Sequence, residues 1–321
     1  MNNANYRLEP PERLVRTLSS RPADGVARRW LATLPETVQE YLTRWELTPE
    51  RVQTPGGRTS VVILVRRADG TPAALKLCPP DGTAALEHAA LERWDGRCAV
   101  RVLRADAGAL LLERLHGDIS LRSLAEAKAQ LEAAAVLQRL WVPPVGAAGA
   151  AGAAGAADGH PFPEVTAHAA GLVETLRERR DAPAAADARA LVDEALELAS
   201  GLVGSAGAGG DAVLLHGEYH QGTVLAGDRA PWLAVAPRPL VGERAYDLAW
   251  LVRDRADTLL ASPGAAAAAR RRVAKLADSL EVDAERLRGW AVFRAVSEGV
   301  GELSVGSRGR GELLLEFAGL L

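Results

Sequence analysis

Val213-Leu214-Leu215-His216-Gly217-Glu218-Tyr219-His220-Gln221-Gly222-Thr223-Val224-Leu225, followed by Trp232-Leu233-Ala234-Val235-Ala236-Pro237-Arg238, is the stretch on which the fold turns. Val213–Leu215 is a short apolar run, the pattern of a buried strand. His216-Gly217 ends it, a carboxylate follows at Glu218, and Thr223 brings a second side-chain oxygen. Trp232–Val235 then reads as another strand. Phosphoryl transfer requires this layout: a carboxylate to orient the attacking hydroxyl, a side-chain oxygen for one Mg²⁺, and an acid at the end of the next strand for the metal. The last place is taken by Ala236, which has no oxygen to offer.

The sequence beyond Arg238 continues Pro239-Leu240-Val241-Gly242-Glu243-Arg244-Ala245-Tyr246-Asp247-Leu248-Ala249. The whole resembles the aminoglycoside phosphotransferase family, in particular its streptomycin 6-kinase and hydroxyurea phosphotransferase branch. That branch reads His-Gly-Asp-(Leu)-His-x-Gly-Asn-Val-Leu, then Trp-Leu-Ala-Ile-Asp-Pro-Lys-Gly-Leu-Val-Gly-Asp-x-Ala-Tyr-Asp-Leu-Ala. So long a frame is far more specific than a lone glycine-rich motif. The similarity also runs through Leu75-Lys76-Leu77, Glu87–Leu91, Trp94-Asp95-Gly96, Ala99–Leu103 and Leu111–Leu115, over roughly residues 30–300. It implies a bilobal, protein-kinase-like α+β fold and ATP-dependent O-phosphorylation of a small hydroxylated molecule, often an antibiotic. ATP and Mg²⁺ are the implied cofactors. By the same resemblance Glu218, Thr223 and Ala236 stand where the branch has Asp, Asn and Asp.

A chain of 321 residues with a formal charge of −3 and no dense basic block argues against a nucleic-acid or membrane partner. Two cysteines, Cys78 and Cys98, give no disulfide framework and suit a reducing cytosol. Residues 1–21 lack the apolar core of a signal peptide, and no apolar run approaches the roughly 18 residues that span a bilayer. A cytoplasmic protein is the expectation.

Apolar spacings of three and four through Leu14, Leu18, Trp30, Leu34, Val38 and Trp45 predict a helical cap over 1–48. Val61–Val65 and Ala73–Leu77, joined at Ala68-Asp69-Gly70-Thr71, read as a hairpin. A helix from Thr83 to Trp94 and strands at Val100–Leu103 and Ala109–Leu112 complete a small, about five-stranded nucleotide-binding lobe over 49–115. Residues 116–321 turn helical: Leu121–Leu140, Pro163–Arg180, Ala184–Leu202, Glu243–Arg253, Ala265–Leu280, Asp283–Val300 and Gly311–Leu320. Within 143–163 the glycine-alanine repeat Gly146–Gly155 reads as a surface insertion. Gly204–Gly209 follows a helix and reads as a linker rather than a nucleotide loop.

Lys76 ends a strand and is the only lysine of the small lobe. Alone it would be a snorkelling surface cation. With Glu87 in the next helix it becomes a phosphate-holding lysine fixed by a glutamate. Gly56 and Gly57, in Thr54-Pro55-Gly56-Gly57-Arg58-Thr59-Ser60, could cover phosphates with backbone N–H groups, though a plain turn explains them equally well. Glu113 and Leu115 occupy the connection where main-chain groups would meet adenine, the alternative being a simple link between lobes. His216 is read as a structural packer of the loop. Glu218 keeps a carboxylate but one methylene further out, a shift of roughly 1–1.5 Å that can cost about a hundredfold in rate. His216, Glu218 and His220 alternate and would suit zinc only if the segment were extended. Thr223 and Glu218 are the remaining metal candidates. Arg238 could carry phosphate charge in place of a metal, against the default of a surface arginine. Asp247 would order the loop by hydrogen bonds.

Two readings follow. In the first, the chain keeps the fold and nucleotide binding, transfers phosphate poorly, and acts by holding a small ligand of the aminoglycoside or hydroxyurea kind, or by engaging a protein partner as a pseudokinase. In the second it is a working kinase conferring antibiotic resistance through rearranged metal ligation.

Overall fold

The computed structural model describes residues 8–19, 25–145, 159–205, 210 and 212–321. The Gly146–Gly155 repeat and most of the Gly204–Gly209 linker lie outside the described residues. The chain divides into two compact units, one running to Ser120 and including Leu225–Arg238, the other comprising Leu121–Val224 and Pro239–Leu321.

In the first unit, β1 (Thr48–Val52), β2 (Val61–Arg66), β3 (Pro72–Leu77), β4 (Val102–Asp106) and β5 (Ala109–Glu113) form one antiparallel sheet in the order β1-β2-β3-β5-β4. The hairpin between β2 and β3 closes where Gly70 takes φ 80° and Asp69 Oδ1 accepts the Thr71 N–H at 2.9 Å. That short side chain mimics a backbone turn. Ile63, Val65, Leu75 and Leu111 turn one sheet face onto Leu14, Leu18, Trp30, Leu34, Val38 and Tyr41. The amphipathic helices Glu12–Ser19, Val26–Ala32 and Leu34–Arg44 therefore share the core of this sheet rather than a core of their own. The strand expected at Val100–Leu103 begins two residues later, because Cys98 and Val100 are used elsewhere. Cys98 O accepts from Ala234 N and Val100 N donates to Ala234 O, both at 2.9 Å. Val224–Ala226 and Leu233–Ala234 join His116–Ser120 in a further small sheet.

The second unit is helical, around Ala284–Ser304, a helix buried along most of its length. Against it pack Arg189–Gly204, Arg244–Val252 and Arg308–Ala318. Two helices begin later than the periodicity predicts, since Leu121–Ser123 and Pro183–Ala188 are tighter 3₁₀ turns ahead of Glu126–Leu140 and Arg189–Gly204. The short helix Ala256–Leu260 has too few residues to show a period. Val213–Leu215 pairs antiparallel with Leu240–Gly242, Leu215 opposite Leu240. This ladder fixes where the loop from His216 leaves the core. Among the described residues no helix is long and apolar enough to cross a membrane.

Candidate active site

Lys76 lies on β3 between Val62 of β2 and Leu110 of β5. Its Nζ donates to both Glu87 oxygens, at 2.7 and 2.6 Å. The residues are 7% and 1% exposed, so each charge is costly without the other. Burial alone would lower the lysine pKa; the Glu87 carboxylate outweighs it and holds the ammonium above its ordinary value. Glu87 comes from Thr83–Trp94, whose start is set by Gly82 in the left-handed region and by Asp81 Oδ1 accepting the Thr83 N–H. Close by, burial pushes the Cys78 thiol up to about 11, which removes it as a nucleophile.

The segment Thr54–Ser60 has a structural reason for its first glycine. Gly56 has φ 71°, and a Cβ there would stand 2.5 Å from Pro11 Cγ. The N-terminal segment thus approaches this turn more closely than a side chain permits. Arg238 reaches the same turn, its Nη2 donating to Thr59 Oγ1 at 3.3 Å. Arg238 also feels Lys76, whose ammonium it disfavours. Lys76, Thr59 and Arg238 therefore occupy one corner of the first unit. Ala236, two residues before Arg238, is exposed with φ 56°.

Glu113 and Leu115 have side-chain duties within the first unit. The Glu113 carboxylate accepts from Arg101 N at 2.8 Å and from Arg229 Nη2 at 2.6 Å. Leu115 sits against Gly227, where a Cβ would come within 2.9 Å of it. Between them, Arg114 donates to Ala73 O and Val65 O at 2.9 and 2.8 Å, tying the end of β5 to the hairpin.

In the second unit the loop after Val213–Leu215 is gripped from several sides. Asp247, fully buried on Arg244–Val252, accepts the His216 N–H at 2.7 Å and the Gly217 N–H at 2.8 Å. Burial raises its carboxyl to about 6 despite those two donors and the nearby Arg294. Gly217 takes φ 81°, and its carbonyl accepts from Trp250 Nε1 at 2.9 Å and Arg294 Nη2 at 2.8 Å. Arg294 also donates to Tyr246 O at 2.7 Å and lies 4.0 Å from the Tyr246 ring centre. His216 is fully buried, edge-on to Tyr219, and the Tyr219 hydroxyl anchors the loop by donating to Ala133 O at 2.7 Å. Further along, Asp254 accepts from Gln221 N at 2.5 Å and Arg122 Nη2 at 3.0 Å, while Arg255 Nε holds Gln221 Oε1 at 2.7 Å.

This grip leaves Glu218 half-buried at the bend, near enough to the Tyr246 phenol to add to the rise that burial gives its pKa. The Thr223 hydroxyl is engaged by the backbone of its own turn. It donates to His220 O at 2.8 Å and accepts the His220 N–H at 3.1 Å, while His220 Nδ1 accepts the Gly222 N–H at 3.0 Å. The two side chains cap the 3₁₀ turn Gln221–Thr223 reciprocally. Burial holds the His220 imidazole down to about 4, so it is neutral at physiological pH. Among the described residues no group of three His, Cys, Asp or Glu side chains could hold a metal ion, so His216, Glu218 and His220 do not form a zinc site.

Arg294, Trp250, Asp254, Arg255 and Tyr219 were not singled out from sequence. One signal was available: Arg294 interrupts the apolar run Trp290-Ala291-Val292-Phe293 and Ala295-Val296, where a charge needs a buried partner.

Comparison with known proteins agrees with this geometry. A family model described as aminoglycoside/hydroxyurea antibiotic resistance kinase matches residues 44–306. A streptomycin 6-kinase of Streptomyces glaucescens is 34% identical, over 94% of this chain and 92% of its own length. A hydroxyurea phosphotransferase of Kitasatospora aureofaciens is 35% identical, over 93% of this chain and 82% of its own. Among solved structures, a thermostable mutant of aminoglycoside phosphotransferase APH(4)-Ia in ternary complex with AMP-PNP and hygromycin B has TM-score 0.60 at 14% identity, covering 88% of this chain and 97% of that one. The α+β, protein-kinase-like fold expected from the sequence is thereby established. The chain belongs to the aminoglycoside/hydroxyurea antibiotic resistance kinase family.

Proposed function

We propose that this protein is a cytosolic, nucleotide-binding member of its family whose phosphoryl-transfer step is impaired, and that it acts mainly by holding a nucleotide or a small hydroxylated ligand of the aminoglycoside or hydroxyurea class. The observation that carries the reading is an asymmetry. The buried Lys76–Glu87 pair is whole, whereas the strand end that should present a metal carboxylate carries Ala236. Lys76 would hold phosphate oxygens, Glu87 fixing its position, and main-chain groups at Glu113 and Leu115 would meet the base. Glu218 would orient the acceptor hydroxyl, from a carboxylate set further out than an aspartate's.

A Mg²⁺ ion does not fit the residues present. Magnesium in ATP sites is held by one or two carboxylates plus phosphate oxygens. Ala236 supplies no oxygen, and the Thr223 hydroxyl is turned onto the backbone of its own turn. No chemical step is therefore assigned to the metal. Positioning and electrostatics are nearly all that such an enzyme contributes, so the losses fall directly on rate.

The test is mass spectrometry of streptomycin and hydroxyurea incubated with the protein, ATP and Mg²⁺, beside a thermal-shift titration with ATP. Phosphorylated product below one equivalent of protein, with a melting temperature that rises with ATP, is the expected result. Repeated turnover would instead establish the working kinase, a reading that the intact hydrogen-bonded frame around Glu218 favours. Restoring Glu218→Asp, Thr223→Asn and Ala236→Asp together should raise the rate at least about a hundredfold if the site is merely degraded.

A further inference from the structure

We infer that the phosphates of a bound nucleotide are neutralised here by protein cations alone, with the Arg238 guanidinium standing in for the divalent ion. The inference rests on the nucleotide-binding reading above and adds to it the means of charge compensation.

Within the first unit the nearest acid to Lys76 is Glu87, and both its oxygens are engaged by Nζ. No carboxylate stands at the end of Leu233–Ala234, where Ala236 presents a methyl group to solvent. Two residues on is a permanent cation. Arg238 is exposed between Pro237 and Pro239, both buried. Pro239 keeps the Arg238 backbone extended, and Pro237 has a fixed φ, so the side chain leaves a stiff segment. Its guanidinium is aimed at the Thr54–Ser60 turn, where Nη2 reaches Thr59 Oγ1. Lys76 and Arg238 are meanwhile near enough for their charges to oppose one another. An exposed guanidinium at a turn that offers a hydroxyl, with the glutamate-held Lys76 ammonium close by, suits a polyanion lying among them. A guanidinium fork meets two phosphate oxygens at once, as a magnesium ion does, but needs no carboxylate behind it.

The experiment is a fluorescence titration of the full chain with mant-ATP, once in EDTA and once in excess Mg²⁺. Dissociation constants agreeing within about threefold are expected, since there is no protein ligand to reward the metal. Arg238→Gln should weaken binding in EDTA at least about tenfold, and Arg238→Lys less, because a point charge replaces a fork. Ala236→Asp should create the missing dependence, Mg²⁺ tightening binding about tenfold or more. Both positions are exposed, so the variants are expected to fold, which circular dichroism checks. Wild-type binding that weakens tenfold in EDTA, or Arg238→Gln binding like wild type there, overturns the inference alone. No mant-ATP binding in either buffer overturns the nucleotide reading and the inference together.

Discussion

The loop from His216 to Thr223 and the strand end from Ala236 to Arg238 both carry residues of the proposed phosphate site, and they are built in different ways. Four backbone groups at the bend of the loop are held by side chains: His216 N and Gly217 N on Asp247, Gly217 O on Trp250 and Arg294, Gln221 N on Asp254. At the strand end the backbone at Ala236 is left-handed and its side chain contributes nothing but a methyl group. The contrast teaches that a frame is kept by packing and hydrogen bonds, which a fold needs for its stability. Reacting groups are held by no such requirement, and can change without unfolding anything.

The sharpest way to break this comparison is at the buried pair, where frame and chemistry coincide. Lys76→Met leaves the Glu87 carboxylate buried without its cation and should cost about 3–5 kcal/mol in denaturant unfolding, while Lys76→Met with Glu87→Leu recovers most of that. A single mutant as stable as wild type would mean that the pair is not shielded from solvent.

His220 offers a pH test of the loop. Its folded pKa is about 4, against about 6.5 in an unfolded chain. Between those values the unfolded chain binds a proton that the native one refuses, so stability falls as pH falls through that window, by about 3 kcal/mol in total. Asp254, Arg122, Arg253 and Glu298 face the imidazole and set the balance of charge there. Asp247, raised to about 6, shifts stability the opposite way as pH falls. The difference between wild type and His220→Asn isolates the histidine, since the Asn oxygen can still accept the Gly222 N–H. Parallel stability curves for the two proteins from pH 7 to pH 4 would refute the assignment.

A smaller effect is expected from Asp247→Asn, which keeps one acceptor oxygen and puts an amide N–H against the other backbone donor. Loss of that hydrogen bond should cost about 2 kcal/mol and lower the melting temperature by several degrees. The smallest is a gain. Alanine in the left-handed region is strained by about 1 kcal/mol, and Asn or Asp tolerates it better. Ala236→Asp should raise the melting temperature by about 1 °C without Mg²⁺. A fall would show that this backbone depends on contacts only alanine permits.

The hairpin of β2 and β3 and the long helices were legible in the sequence, because alternation and three-to-four spacing are properties of neighbouring residues. Element ends were less so: Cys98 and Val100 form hydrogen bonds with Ala234, more than a hundred residues away, and no local pattern announces that. The residue types of the proposed site, alanine at 236 and glutamate at 218, are read from the sequence without coordinates.

What the sequence determined by itself is therefore the inventory: strand, loop and strand in order, the lysine and glutamate of the first unit, and an alanine rather than an acid at position 236. Tertiary structure alone decided how those groups are used. It turned the Thr223 hydroxyl onto His220, brought Pro11 onto Gly56, placed Arg238 at Thr59 and set Arg294 beneath Gly217. The physical reason is that a side chain's partner is chosen by packing of distant segments, where burial makes an unmade hydrogen bond costly, and sequence spacing carries no record of that choice.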